Sequence, residues 1–237
     1  MDLKGVEMTW LGHSTFRFRT SDDTVVLVDP WLRDNPSCPD AEREPDRVDV
    51  MLLSHGHFDH ISDAVEIGRR LEPETYCIFE TSAWLESKQV PGVVGLNKGG
   101  TVETSGGLRA TLVDAVHSCG ITDDDGSIVY GGDPGGWVVE FPEGLRVYHA
   151  GDTMVFRDME LIGELWRPDV ALLPIGDHFV MDPRQAAVAA RLVGAPTVVP
   201  MHYGTFPVLT GTPDELRSQV ADQDVEVVEA TVGEPVR

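Results

Sequence analysis

The chain has 237 residues, of which 41% are hydrophobic, enough for a substantial buried core and too many for a disordered segment. Asp and Glu total 40 against 18 Lys and Arg, for a formal net charge of -22. That balance disfavours nucleic acid, which is held by basic side chains displacing counterions, and no apolar run approaches a membrane span.

Taken in order, the sequence predicts short strands at residues 6–10, 15–19 and 25–28. A fourth strand, 48–53, runs straight into Ser54-His55-Gly56-His57-Phe58-Asp59-His60. Four metal-capable side chains, His55, His57, Asp59 and His60, therefore fall within six positions at a strand end. Alternation lets His55 and His57 share one ion, while Asp59 and His60 can face a second. Three imidazoles and a carboxylate this close would be poorly solvated in a core unless a cation collected them.

A helix is expected over 61–71, a strand over 76–79 and a helix over 82–88. Gly99-Gly100 turns the chain into strands 101–103 and 108–116, the latter ending at His117. After the turn Asp123-Asp124-Asp125-Gly126, strands follow at 128–130, 136–141 and 145–148, then a helix at 154–165 and a strand at 170–173. Asp182 caps a helix that Pro183 opens and Gly194 ends. A strand at 198–199, a helix from Thr212-Pro213 and a strand at 225–228 complete the pattern. Two strand-rich halves, each ending in α/β units, suit two sheets packed face to face with helices outside. Segment 32–46, rich in Pro, Asp and Glu, reads as a mobile loop beside the site.

His-x-His-x-Asp-His after a strand resembles the signature of the metallo-β-lactamase superfamily. His117 after Leu112-Val113-Asp114-Ala115-Val116, Asp152 in Tyr148-His149-Ala150-Gly151-Asp152-Thr153, and His202 after Val198-Val199-Pro200-Met201 follow in the family's order. The resemblance implies an α/β fold, a four-layer αββα sandwich, with residues 1–237 forming one domain. Trp10-Leu11-Gly12-His13-Ser14, Asp29-Pro30-Trp31, Gly176-Asp177-His178 and Met201-His202-Tyr203-Gly204-Thr205 are similar to a branch of small metal-dependent hydrolases allied to ascorbate-6-phosphate lactonase. The usual Gly-Gly-His of that branch stands here as Gly176-Asp177-His178, which adds a carboxylate near the expected mouth of the site.

Carried across residue by residue, the resemblance assigns His55, His57 and His117 to one metal and Asp59, His60 and His202 to the other. Asp152 would bridge them. A hydroxide shared by the two ions would then attack a small-molecule lactone, ester or phosphodiester. Imidazole-rich ligation favours zinc, and mixed nitrogen and oxygen donors also admit manganese, iron or nickel. Asp59, His178 and His13 are the candidate catalytic side chains, with His178 the preferred donor to an oxyanion or leaving group. His149 reads as a packed residue, and Asp29 either orients a ligand imidazole or closes a turn before Pro30.

Relatives that process RNA usually carry an added RNA-binding arm, thioesterase relatives a helical domain and redox relatives a flavin-binding domain; with 35 residues after His202, enough for one helix and one strand, none of these is expected here. A metal-stabilised binding or regulatory protein with little turnover is the competing class. Cys38, Cys77 and Cys119 are widely spaced and odd in number, so no disulfide framework is implied. Cys119, two residues after His117, reads as a small buried thiol. The start, Met1-Asp2-Leu3-Lys4-Gly5, lacks a basic-then-apolar leader, so the expected location is the cytoplasm. A small-molecule substrate is the expected partner, and association into a homo-oligomer is left open.

Only Lys4, Lys88 and Lys98 are lysines. Surplus acid with so little lysine is expected of a chain adapted to concentrated salt, where self-repulsion is screened. Diluting salt from 1 M to 0.01 M lengthens the Debye length from about 3 Å to about 30 Å. Metal-saturated protein should therefore melt at a clearly lower temperature in dilute buffer than in molar KCl. Equal melting temperatures would remove the salt-adaptation reading.

Overall fold

A computed structural model describes residues 1–236. The first half runs β1 (Glu7–Trp10), β2 (Phe16–Arg19), β3 (Val25–Val28), β4 (Val50–Leu52), α1 (Phe58–Ile61), α2 (Ala64–Leu71), β5 (Glu74–Ile78), α3 (Phe79–Ser87) and β6 (Val93–Leu96). The second half begins with β7 (Thr101–Glu103), β8 (Arg109–Asp114), β9 (Gly120–Thr122), β10 (Ile128–Tyr130), β11 (Gly135–Glu140) and β12 (Arg146–His149). It continues through α4 (Met159–Trp166), β13 (Val170–Pro174), α5 (Pro183–Val193), β14 (Thr197–Met201), α6 (Pro213–Gln219), β15 (Glu226–Val227) and β16 (Pro235–Val236). Two seven-stranded sheets result, in the orders β16-β1-β2-β3-β4-β5-β6 and β15-β14-β13-β12-β11-β8-β7, and β9 and β10 form a separate pair. With helices on their outer faces the sheets make the αββα sandwich expected from the sequence. No helix among the described residues is long and apolar enough to cross a membrane.

Period-two burial sets the layers. Val26, Val28, Val50, Leu52 and Ile78 of the first sheet join the core between the sheets. Their neighbours Leu27, Met51, Leu53 and Cys77 point the other way, into a second core with Ile67 of α2 and Leu85 of α3. Strands β3 and β4 are thus buried on both faces, which is why they read as unbroken apolar runs. Between the sheets, the Phe18 ring meets Phe141, just past β11, at a centroid separation of 5.3 Å.

This topology gathers the site. Strands β3 to β6 run parallel, as do β12 to β15, so their C-terminal ends lie at one edge of each sheet. The turn after β1 and the end of β8 reach the same edge, because each strand is antiparallel to a neighbour that is itself antiparallel to the parallel run. The His202 amide donates to the His13 carbonyl at 3.0 Å, joining the two edges there.

Several elements differ from the sequence reading. The helix expected over 61–71 is split into α1 and α2, because Asp63 turns inward to accept from the amides of Leu32 and Arg33 at 2.6 and 3.2 Å. The helix expected from residue 154 starts at Met159, since the Met154 amide is held by the Val116 carbonyl. Strands β6 and β9 are short and carry glycine, and β16 closes the first sheet against β1; none is signalled by alternation. Segment 32–46 is packed, with Leu32, Asn35 and Cys38 buried and Glu42 paired with Arg17.

If Phe18 ties the two sheets together, Phe18→Ala should cost about 3–5 kcal/mol of stability, the usual range for removing a buried aromatic ring. Denaturant unfolding at unchanged m-value measures this. A loss under about 1 kcal/mol, the effect of an ordinary surface change, would contradict the inter-sheet placement.

Candidate metal centre

The loop after β4 explains how one short motif serves two positions. His55 precedes α1 and His57 caps it with extended backbone, while Asp59 and His60 occupy its first turn. Extended spacing sends the first pair one way and the helical turn sends the second pair another. His55 Nε2 lies 3.0 Å from His57 Nδ1, which lies 3.2 Å from His117 Nε2. Two nitrogens bound to one tetrahedral zinc ion stand roughly 3.3 Å apart, given the usual bond length. The three imidazoles thus present their nitrogens at the spacing of ligands to a common ion.

The structure offers two groups of metal-capable side chains: His55, His57, His117 and Asp152, and His13, Asp59, His60 and His202. Asp152 faces both. Its Oδ1 lies 3.2 Å from His60 Nε2, and its Oδ2 lies 3.1 Å from His202 Nε2, 3.6 Å from His117 Nε2 and 3.9 Å from His55 Nε2. His60 Nε2, His202 Nε2 and Asp152 Oδ1 are buried, yet none completes a well-directed hydrogen bond among the described residues. Buried polar atoms are normally paired. Converging lone pairs left unpaired are what a cation requires, so the residues present fit divalent metal, with donors suited to zinc and acceptable to manganese, iron or nickel.

The electrostatics differ between the two groups. Burial would push the His60 and His202 imidazoles down, but the Asp152 carboxylate outweighs it. His60, also facing Asp29, is held well above the usual histidine value, and His202 is raised to about 9. Asp152 is buried, yet the facing His202 and His60 keep it far below the ordinary carboxylate range. His55, His57 and His117 are lowered, chiefly by burial, and so favour the neutral form that binds metal.

A family model for the beta-lactamase superfamily domain matches residues 24–203. The chain belongs to the metallo-β-lactamase superfamily. A UPF0173 metal-dependent hydrolase of Koribacter versatilis is 56% identical over 225 residues, covering 95% of this chain and 96% of that protein. A relative of the same name from Solibacter usitatus is 48% identical over 232 residues, covering 98% and 100%. Among solved structures, Igni18, a metallo hydrolase from Ignicoccus hospitalis, aligns with a TM-score of 0.84 at 36% identity, covering 98% of this chain and 97% of that one.

This metallo-β-lactamase fold surrounds its histidines with a second layer of contacts that orients them. Asp29 accepts from the Ser54 amide at 2.7 Å, from Ser54 Oγ at 2.6 Å and from His60 Nδ1 at 2.7 Å. Ser54 Oγ in turn lies 2.9 Å from His55 Nδ1, so one carboxylate fixes rings of both groups and turns their Nε2 atoms inward. Asp29 contacts the His60 imidazole directly, as the orienting reading requires, and its backbone also turns before Pro30. His149 donates from Nε2 to the Ser14 carbonyl and accepts from the Gly151 amide, which leaves it packed and satisfied. Gly151 has φ +60, and a Cβ there would stand 2.6 Å from the Gly135 carbonyl oxygen, so only glycine allows Asp152 to follow β12 in this way. His13, Asp29 and His202 are non-glycine residues at φ 55, 49 and 53, a left-handed backbone that costs roughly 1–3 kcal/mol each and tends to cluster at functional sites.

The candidate residues fare differently. His13 lies fully buried behind Asp59, with Nε2 3.0 Å from Asp59 Oδ2 and Nδ1 3.0 Å from Thr205 Oγ1. It touches Asp59, which lines the cavity, and does not line the cavity itself. His178, the preferred substrate contact from the sequence, joins neither metal-capable group and does not line the cavity over them. Positive φ at Asp177 and His178 turns the chain so that Phe179 lines the cavity instead. Cys119 sits under the histidine loop, its thiol accepting from the Gly56 amide at 3.2 Å. Sequence reasoning missed Ser54 and Thr205, whose hydroxyls carry no signal until the fold places them.

Replacing Asp29 with Ala should weaken metal affinity by about 10–100-fold, as loss of an orienting partner does. Competition with a chromogenic chelator measures it. Unchanged affinity would contradict the orienting role.

Proposed function

We propose that this chain is a metal-dependent hydrolase that opens a small-molecule lactone or cleaves an ester or phosphodiester with a pair of divalent ions, zinc being the best match to the ligands. The observation that carries this reading is the position of Asp152, between two groups of imidazoles and at the floor of a cavity. His55, His57 and His117 would hold one ion, Asp59, His60 and His202 the other, and Asp152 both. When bound, such ions acidify water and polarise the oxygen of the scissile group.

The chain's own side chains do the positioning. His13 donates to Asp59 and, with His202, keeps that carboxylate ionised against burial, far below the usual carboxylate range. Asp59 lines the cavity and so can accept a hydrogen bond from the attacking water, fixing its orientation. Burial, followed by the neighbouring His202, lowers His13 to about 4, so it stays neutral and keeps a single orientation between Thr205 and Asp59. Hydrolysis then places the water oxygen on the acyl or phosphoryl centre and a proton on the departing oxygen.

Asp152→Ala should lower kcat/KM for generic ester or phosphodiester substrates by more than about 10²-fold, the least expected for loss of a group that organises the reacting centre. His178→Ala should leave it nearly unchanged. Chelation should abolish turnover and added zinc restore it. Turnover absent with every metal would favour the metal-stabilised binding protein, and a larger loss from His178→Ala than from Asp152→Ala would overturn the assigned roles.

A further inference from the structure

The cavity over the histidines has a volume of about 610 Å³, within the ordinary range for small-ligand sites. Its floor is His57, Asp59, His117 and Asp152, and its wall is Phe58, Phe179, Phe206, Pro207 and Val208. Among the described residues lining it, Ser118 is the one further polar residue, and none is a lysine or arginine. Phe58, Phe179 and Val208 are 54%, 55% and 44% exposed, a cluster of bare apolar side chains that folding alone does not require. Two of the rings are braced, since Phe58 and Phe206 both pack on Trp31 at 5.8 and 5.6 Å.

We infer that the substrate is an uncharged carboxylic ester or lactone whose non-reacting part is an alkyl or aryl group lying against this wall. The inference rests on the hydrolase reading above and narrows it. A phosphate or carboxylate remote from the reacting bond would need arginine, lysine or a cluster of free amides to replace its water. Among the described residues the wall supplies no cationic side chain. An apolar group gains about 0.8 kcal/mol per buried methylene, or close to fourfold in binding. In the reaction the water oxygen joins the acyl carbon, the acyl C–O bond breaks, and the departing oxygen leaves with a proton, so no other reactant is needed.

The test uses zinc-loaded full-length protein and p-nitrophenyl esters of acetate, butyrate and hexanoate, with the p-nitrophenyl half-ester of adipate as the anionic match to hexanoate. kcat/KM should rise about fourfold per methylene from acetate to hexanoate, and the half-ester should fall to the butyrate level or below. Phe179→Ala, which removes an exposed ring, should flatten the series. Binding is measured separately with unreactive ketones by ligand-observed NMR, where 2-octanone should bind more tightly than 7-oxooctanoate. A half-ester cleaved as well as hexanoate would overturn the inference and leave the hydrolase reading intact. No turnover of any ester would overturn the inference, even with 2-octanone preferred over 7-oxooctanoate. Equal binding of the two ketones, or binding of neither, would overturn it.

Discussion

Asp152 carries an ionised carboxylate that is 2% exposed and faces four imidazole nitrogens within 3.9 Å. A charge in that position loses several kcal/mol of hydration, which must be regained from its neighbours. The rest of the site follows from this constraint. His60 and His202 are raised by Asp152, Asp29 fixes the rings from behind, and Gly151 lets the chain turn where a side chain would strike β11. Protons on His60 and His202 can balance Asp152, but metal ions satisfy more of the converging nitrogens at once. Metal binding and proton release are therefore coupled.

The strained backbone at His13, Asp29 and His202 belongs to the same arrangement. Each sits where a strand ends and the chain must reverse to aim its side chain at the edge shared by the two sheets. The hydrogen bond from the His202 amide to the His13 carbonyl spans that edge, so metal-capable side chains from opposite sheets meet without a flexible linker between them. Unfavourable local conformation is sustained by a well-packed sandwich, which holds the geometry in place before substrate arrives.

Much of the fold was legible because β3 and β4 are buried on both faces and announce themselves as apolar runs, and because Asp182, Pro183 and Gly194 mark both ends of α5. The break between α1 and α2 was not, since it depends on Asp63 reaching residues about thirty positions earlier, a contact invisible to local periodicity. Strand β16 was missed because two residues show no alternation; it exists through pairing with β1. At the site, ligand density in 55–60 was readable as chemistry, whereas Ser54 and Thr205 became informative only through the partners the fold gave them. His178 drew notice because a histidine after a strand looks site-facing, whereas after two left-handed residues it is Phe179 that lines the cavity. The cavity wall beside the metal-capable side chains is therefore apolar where the sequence led one to expect a polar contact.

The account depends on two groups of ligands sharing one carboxylate, and metal stoichiometry addresses that most directly. Protein reconstituted with zinc, then dialysed free of loose ions, should retain close to two divalent ions per chain by elemental mass spectrometry. A single ion per chain, or only a trace, would contradict the shared role of Asp152.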